Sequence, residues 1–409
     1  MTRPAYSVWA YPWDLHDIGL DRALGLLADQ GITMVSLATS YHAGRFLQPG
    51  NPKRRIYFPE DGTVYYQPDP ARWAGHTIIP QQAAIVATEG DMLAELIHRR
   101  DAGGVGVSCW TVCLHNTRLG QAHPGHCLRT AHGDPQIFGL CPSSPAARAY
   151  VTGMVAEISH RYHPDRIELE SPDYMGFAHG FHHEKDGLGL LDEDTFLLGL
   201  CFCPHCRAAT LSSGVDFEAA RQTVITLLDA AFARELPQRQ FPDFPMRALD
   251  AFCDYPALID YLMWRSAPVT SLIAEAKAVC HPDTALLLID AAGTWASGID
   301  LAAVIPHLDG ILHCAYSTPP QDIASVMASA RSALGPDKTL IAGFQLFHPQ
   351  VKDAADLQSR VAATVGHVDG LNFYNLGLVP TQRMAWIGST VRGHLPEDGT
   401  VIASKSEPL

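Results

Sequence analysis

The chain has 409 residues, 47% of them hydrophobic and 18% charged, with a formal net charge of −14. That length and apolar content suit one large domain or two ordinary ones. The negative balance argues against nucleic acid or an anionic membrane surface as partner, because both call for clustered Lys and Arg. No apolar run reaches the ~18 residues needed to span a bilayer, and the stretch from Met1 to Trp9 lacks the basic head and apolar middle of a signal peptide. The ten cysteines are scattered except for one cluster, so they read as buried, free or metal-bound rather than paired. The expectation is a soluble, cytoplasmic protein.

Short β-rich runs alternate with amphipathic segments along almost the whole chain. Predicted strands lie at Tyr6–Ala10, Met34–Ala38, Gly106–Trp110, Arg166–Glu170, Ala285–Asp290, Gly310–Ala315, Thr339–Phe344 and Gly370–Tyr374. Helices are predicted at Leu20–Gln30, Ala83–Arg99, Ala146–Arg161, Ile259–Val279, Pro320–Ala333 and Ala354–Val365, several of them followed by a Gly or Pro stop such as Gly31 or Pro164. Eight such β-then-α units predict an α/β fold, a (β/α)8 TIM barrel. An open doubly wound sheet is disfavoured, because Pro12-Trp13-Asp14 follows the first strand in place of a glycine-rich phosphate turn. Two insertions are long, Ser40 to about Gly75 after strand two and Ser171 to about Gly214 after strand four. Both fall on the C-terminal face, where barrel active sites are built. Residues 1–392 read as one catalytic barrel and 393–409 as a loosely held tail, the alternative being two domains divided near residue 240.

The sequence Cys201-Phe202-Cys203-Pro204-His205-Cys206 places three thiols at metal-ligand spacing. A tetrahedral zinc site needs a fourth ligand, for which Cys141, at the start of a predicted helix, is the first candidate and His205 the substitute. Four protein ligands would leave no open position, so such a zinc would be structural. No organic cofactor is expected.

Glu168 and Glu170 alternate with Ile167 and Leu169 on strand four. If the apolar pair faces the helices, both carboxylates point into the barrel, with Glu170 nearer its mouth. Like-charge burial raises a carboxyl pKa, which suits a general acid. Glycoside hydrolysis ordinarily uses two carboxyl groups. Asp290, at the end of strand five, is the first candidate for the second and Asp173 the next, with Glu168 a third catalytic candidate. The other strand ends resemble the lining of a sugar pocket, in which rings stack on a pyranose and amides or imidazoles bond its hydroxyls. The substrate-binding candidates are Trp9, Tyr41, His42, Trp110, His115, Asn116, Asp173, Tyr174, Tyr316, Gln345, Asn372 and Tyr374.

The order of Cys141, a glutamate closing strand four and the C-x-C-x-x-C cluster resembles the family 42 glycoside hydrolases, which are barrel β-galactosidases, and a wider group of hydrolase-like barrels. The stretch Arg54 to Gly62 also looks like the post-strand-two loop of the wider group. The resemblance implies that Cys141, Cys201, Cys203 and Cys206 hold zinc, that Glu170 is the acid/base, and that a homo-oligomer is possible, since members are often trimers. The chain departs from that pattern in three places: Leu169 stands where family 42 has Asn, Gln345 rather than an acid closes strand seven, and His179–Lys185 is inserted. The expected function is hydrolysis of a glycosidic bond in a small saccharide or glycoside. Two alternatives remain. One is a metal-dependent sugar lyase or isomerase using Glu170, Asp290 and histidines such as His179, His182, His183 or His313; the other is a catalytically silent sugar-binding barrel.

Overall fold

Runs such as Leu286-Leu287-Leu288-Ile289 are too short for a helix and apolar on both faces, as strands covered on both sides must be. In a computed structural model that describes residues 5–179, 183–290 and 294–394 (side chains of 290, 294, 393 and 394 excepted), these runs form eight parallel strands. They are β1 (Ala5–Ala10), β2 (Met34–Tyr41), β3 (Gly106–Val112), β4 (Arg166–Glu170), β5 (Ala285–Asp290), β6 (Gly310–Cys314), β7 (Thr339–Gln345) and β8 (Gly370–Tyr374). Each pairs with the next, and β1 pairs with both β8 and β2, which closes the sheet. The fold is a (β/α)8 barrel.

Alternation along each strand divides the core in two. Val35, Leu37, Val107, Ile167, Leu169, Leu286 and Leu288 pack outward against the helices. Trp9, Ala38, Trp110, Val112, Leu287, Leu312 and Ile341 fill the interior. Below the rings lies a polar layer. Glu168, fully buried, accepts from Trp9 Nε1 at 2.9 Å, Ser36 Oγ at 2.6 Å, Ser108 Oγ at 2.8 Å and Arg166 Nε at 3.0 Å. Arg166 Nη2 and Asn372 Nδ2 both donate to Ser7 Oγ, at 3.0 and 2.8 Å.

Two predicted helices are broken. Ala83–Arg99 divides into Ala84–Glu89 and Met92–Asp101, because Gly90 takes a φ of 103° and Asp91 caps the second piece by accepting from Ala94 N. Ile259–Val279 divides into Pro256–Trp264 and Ser266–Val279. Pro268 has no N–H to offer Trp264, so the ladder is interrupted at Arg265.

The loop after β2 folds back over the helix Pro12–Ile18. Gln48 Nε2 donates to Asp14 Oδ1 at 2.8 Å, and Asn51 Nδ2 and Arg54 Nη2 each reach Asp17 at 2.7 Å. The last helix, Thr381–His394, runs two residues past the expected boundary at 392; the rest of the predicted tail lies outside the described residues. Among the described residues no helix is long and apolar enough to cross a membrane.

Candidate active site

Past Glu170 the chain turns sharply. Ser171 adopts a left-handed φ of 50°, which costs a non-glycine residue about 1–2 kcal/mol. Backbone bonds hold the turn: Cys113 N donates to Glu170 O at 2.8 Å, Leu114 N to Ser171 O at 3.1 Å and Tyr174 N to Ser297 O at 3.1 Å. The consequence is that Glu170 and Asp173 both face a cavity of about 600 Å3 at the C-terminal mouth of the barrel. That volume suits a small-molecule site, for which ~300–1,000 Å3 is usual.

Its walls are aromatic. Trp9 and Trp110 stack with ring centroids 5.1 Å apart, Tyr374 meets Trp9 edge-on at 5.6 Å, and Tyr316 stacks on Tyr374 at 6.0 Å. Tyr41 meets Trp110 edge-on at 4.9 Å. Both indoles are anchored through their N–H groups, Trp9 to Glu168 below and Trp110 to Glu170. Such anchoring fixes which ring surface meets a ligand.

Burial pushes the Glu170 carboxyl up to about 7; the Asp173 charge adds to that rise and the Trp110 N–H opposes it. Burial likewise brings Asp173 up to about 6, against a hydrogen bond with Ser297 and the charge of Arg265. At neutral pH Glu170 can therefore hold a proton while Asp173 carries charge, the division of labour that acid/base chemistry requires.

The structure gathers Trp9, Tyr41, Trp110, Glu170, Asp173, Tyr316 and Tyr374 around one cavity. The remaining candidates lie elsewhere. His42 and His115 sit beside the cavity with rings 4.1 Å apart, and His115 meets His179, a wall residue, at 4.0 Å. Burial lowers His42 and His179 and brings His115 down to about 2, with the neighbouring histidines adding to the fall at His115, so these imidazoles are neutral.

Asn116 caps the helix Thr117–Ala122, accepting from Leu119 N at 2.8 Å and donating to Gly62 O at 3.1 Å. Asn372 lies in the buried polar layer, and Gln345 Nε2 donates to Tyr316 O at 3.5 Å. Tyr174 is turned away from the cavity, with its hydroxyl 3.1 Å from Ser143 Oγ. Glu168, expected as a third acid, sits below the cavity with its oxygens taken up by four donors. The Asp290 side chain and His182 lie outside the described residues. The wall also includes Ser171, Gly176, His179, Ile289, Ser297, Ile299 and Cys314. Of these only His179 was singled out in the sequence; the others carry no motif, and Ser297 and Ile299 come from the segment after β5.

The four cysteines meet beside this mouth. Cys141 Sγ lies 3.5 Å from Cys206 Sγ, 3.5 Å from Cys203 Sγ and 3.8 Å from Cys201 Sγ, and all four sulfurs fall within 4.8 Å of one another. A tetrahedron with Zn–S bonds of about 2.3 Å has edges of about 3.8 Å, so the donor set fits a zinc-sized ion. Backbone N–H groups of Arg129, Ser143 and Cys206 point at Cys201, Cys141 and Cys203, each at 3.4 Å, the outer support that metal-bound thiolates receive. Cys141 brings the fourth sulfur to the group, whereas His205 turns to Gly125 O at 3.1 Å. Tyr174 joins the cluster to the acid loop, its hydroxyl 3.7 Å from Cys206 Sγ. Among the described residues this is the one group of three or more such ligands close enough to share an ion.

No protein-family model matches the sequence, and no curated protein matches it. Solved structures do share the fold. An α-L-fucosidase isoenzyme 2 from Paenibacillus thiaminolyticus superposes with a TM-score of 0.55 at 12% identity, over 96% of this chain and 49% of that one. A β-galactosidase from Bacillus circulans sp. alkalophilus gives 0.55 at 12%, over 95% and 55%. The β-galactosidase of the Antarctic haloarchaeon Halorubrum lacusprofundi gives 0.55 at 13%, over 94% and 57%. The chain thus spans about half the length of these structures. At such identities the likeness establishes the shared barrel, whose members here are named as glycosidases.

Proposed function

We propose that the protein is a glycoside hydrolase-type enzyme acting on a small saccharide or glycoside. The observation that carries the reading is Glu170, a carboxyl pushed up to about 7 in the wall of an aromatic-lined cavity. One structure named as a fucosidase and two named as β-galactosidases among those that share the barrel support it, as does the resemblance to family 42.

In this reading Glu170 is the proton donor to the departing glycosidic oxygen, and the Trp110 N–H holds its carboxyl in place. Asp173, ionised above about 6, stabilises the positive charge that develops at the sugar carbon or activates a water. Asp290 remains the other candidate for that task. Trp9, Trp110, Tyr316 and Tyr374 supply the stacking surface. The four cysteines hold a structural zinc that braces the loop carrying Asp173 through Tyr174; with four protein ligands it would take no part in the reaction.

The test is a panel of aryl glycosides assayed with the wild type, Glu170→Gln, Asp173→Asn and Asp290→Asn. Glu170→Gln should lower turnover at least ~100-fold, and whichever aspartate variant falls as far identifies the partner. Turnover near wild type in Glu170→Gln would remove the mechanism.

A further inference from the structure

A second cavity, of about 420 Å3, adjoins the first, and Gly176 and Ser297 line both. Its wall includes Phe196 and Trp295, half-buried rings 5.1 Å apart, and Arg265. Arg265 is 2% exposed and stands at the break between the helices Pro256–Trp264 and Ser266–Val279. Its guanidinium lies over the Tyr174 ring at 4.5 Å, and Nη1 donates to Ala296 O at 3.1 Å. Nε has no partner. Among the described residues no carboxylate forms an ion pair with it. Asp173 feels its charge from beyond that range, and Asp192, on the rim of the second cavity, is engaged by Arg239 at 3.5 Å.

A buried cation without a carboxylate partner is costly, and a planar guanidinium with donors to spare matches a bidentate oxyanion. We infer that the second cavity is a subsite for an anionic sugar unit, one bearing a carboxylate or a sulfate, joined to the unit that occupies the cavity of Glu170. Trp295 offers the stacking face for that unit and Arg265 the charge. The inference rests on the barrel mouth taking a saccharide, but not on cleavage there. It narrows the substrate class to acidic oligosaccharides or glycosides, with the acidic unit adjacent to the bond that Glu170 faces.

Calorimetric titration decides it, using three disaccharides: a uronic acid linked to a neutral sugar, its neutral counterpart and its sulfated counterpart. The wild type should bind an acidic form at least ~10-fold more tightly than the neutral one. The tighter of the two acidic forms identifies the oxyanion. Folded Arg265→Gln should lose the preference, whereas Glu170→Gln should keep it. Arg265→Lys keeps the charge without the fork and should lose about 10-fold for the preferred acidic form; it decides the matter if Arg265→Gln fails to fold. Equal binding of acidic and neutral forms by the wild type, or an acidic preference undiminished in either folded Arg265 variant, overturns the subsite. Acidic preference without hydrolysis of any glycoside would remove the hydrolase reading and leave the subsite, and hydrolysis with no such preference would do the reverse.

Discussion

Glu168 and Glu170 are two residues apart on one strand and face the same way, yet their surroundings are opposite. Glu168 is wholly enclosed and meets four donors, including the guanidinium of Arg166 at 3.0 Å. Among the described residues Glu170 meets one indole N–H and an open cavity, and burial leaves its charged form poorly compensated. The difference teaches that depth does not make a barrel carboxylate reactive. What matters is whether the fold spends its donors on that group or leaves an acceptor for a ligand.

Substitution tests the contrast directly. Glu168→Ala should lower unfolding free energy by about 3–5 kcal/mol, because it strands Arg166 as a buried charge; denaturant unfolding that matches wild type would erase the distinction. Glu170→Gln should do the opposite, cutting turnover ~100-fold or more, a barrier of about 2.7 kcal/mol, while leaving the fold intact.

The pH dependence of stability sharpens the same point. Glu170 has a folded pKa above its unfolded value, so its contribution is full below about 4.5 and is lost as pH rises towards about 7. Glu170→Gln should therefore flatten the stability profile across that window, by an amount on the order of 1–3 kcal/mol. Urea melts at pH 4.5 and 8 would read it, and a variant profile parallel to wild type would refute the shift. The catalytic profile should be a narrow bell. It should fall below about 6 as Asp173 takes a proton and above about 7 as Glu170 loses one. A broad plateau to pH 9 would assign the proton donor elsewhere.

Smaller still should be the effect of Cys203→Ser on a glycoside assay. The variant is expected to lose zinc, and some stability with it, before it loses chemistry, because the part of the acid loop that lies against the cluster is the Tyr174 hydroxyl and not a carboxyl. Metal analysis of purified wild type and variant checks this, and a wild type without metal would remove the zinc proposal.

The eight strands were legible because parallel barrel strands are short apolar runs with turn residues at both ends, a strong local signal. Helix ends were less so. The interruption at Gly90 follows from a local backbone preference, and that at Arg265 from a proline three residues on. Among the site residues, Glu170, Trp9, Trp110, Tyr316 and Tyr374 could be placed because the C-terminal ends of barrel strands converge on one mouth. Asn116 carried a different signal, an N-cap ahead of Thr117, and its amide is committed to that helix. Tyr174 directly follows Asp173, yet the loop turns it towards sulfur rather than the cavity. Ser297, Ile299 and Gly176 carry no local mark of their place in the wall, since loops from different strands bring them there.

Sequence alone therefore settled the barrel, the inward direction of the β4 carboxylates and the thiol spacing, all consequences of periodicity and short-range geometry. Only tertiary structure decided which glutamate is satisfied, where the fourth sulfur comes from and that Arg265 has no carboxylate ion-pair partner among the described residues. Those outcomes depend on donors and acceptors that segments distant in the chain deliver to the same few ångströms, and no local pattern encodes them.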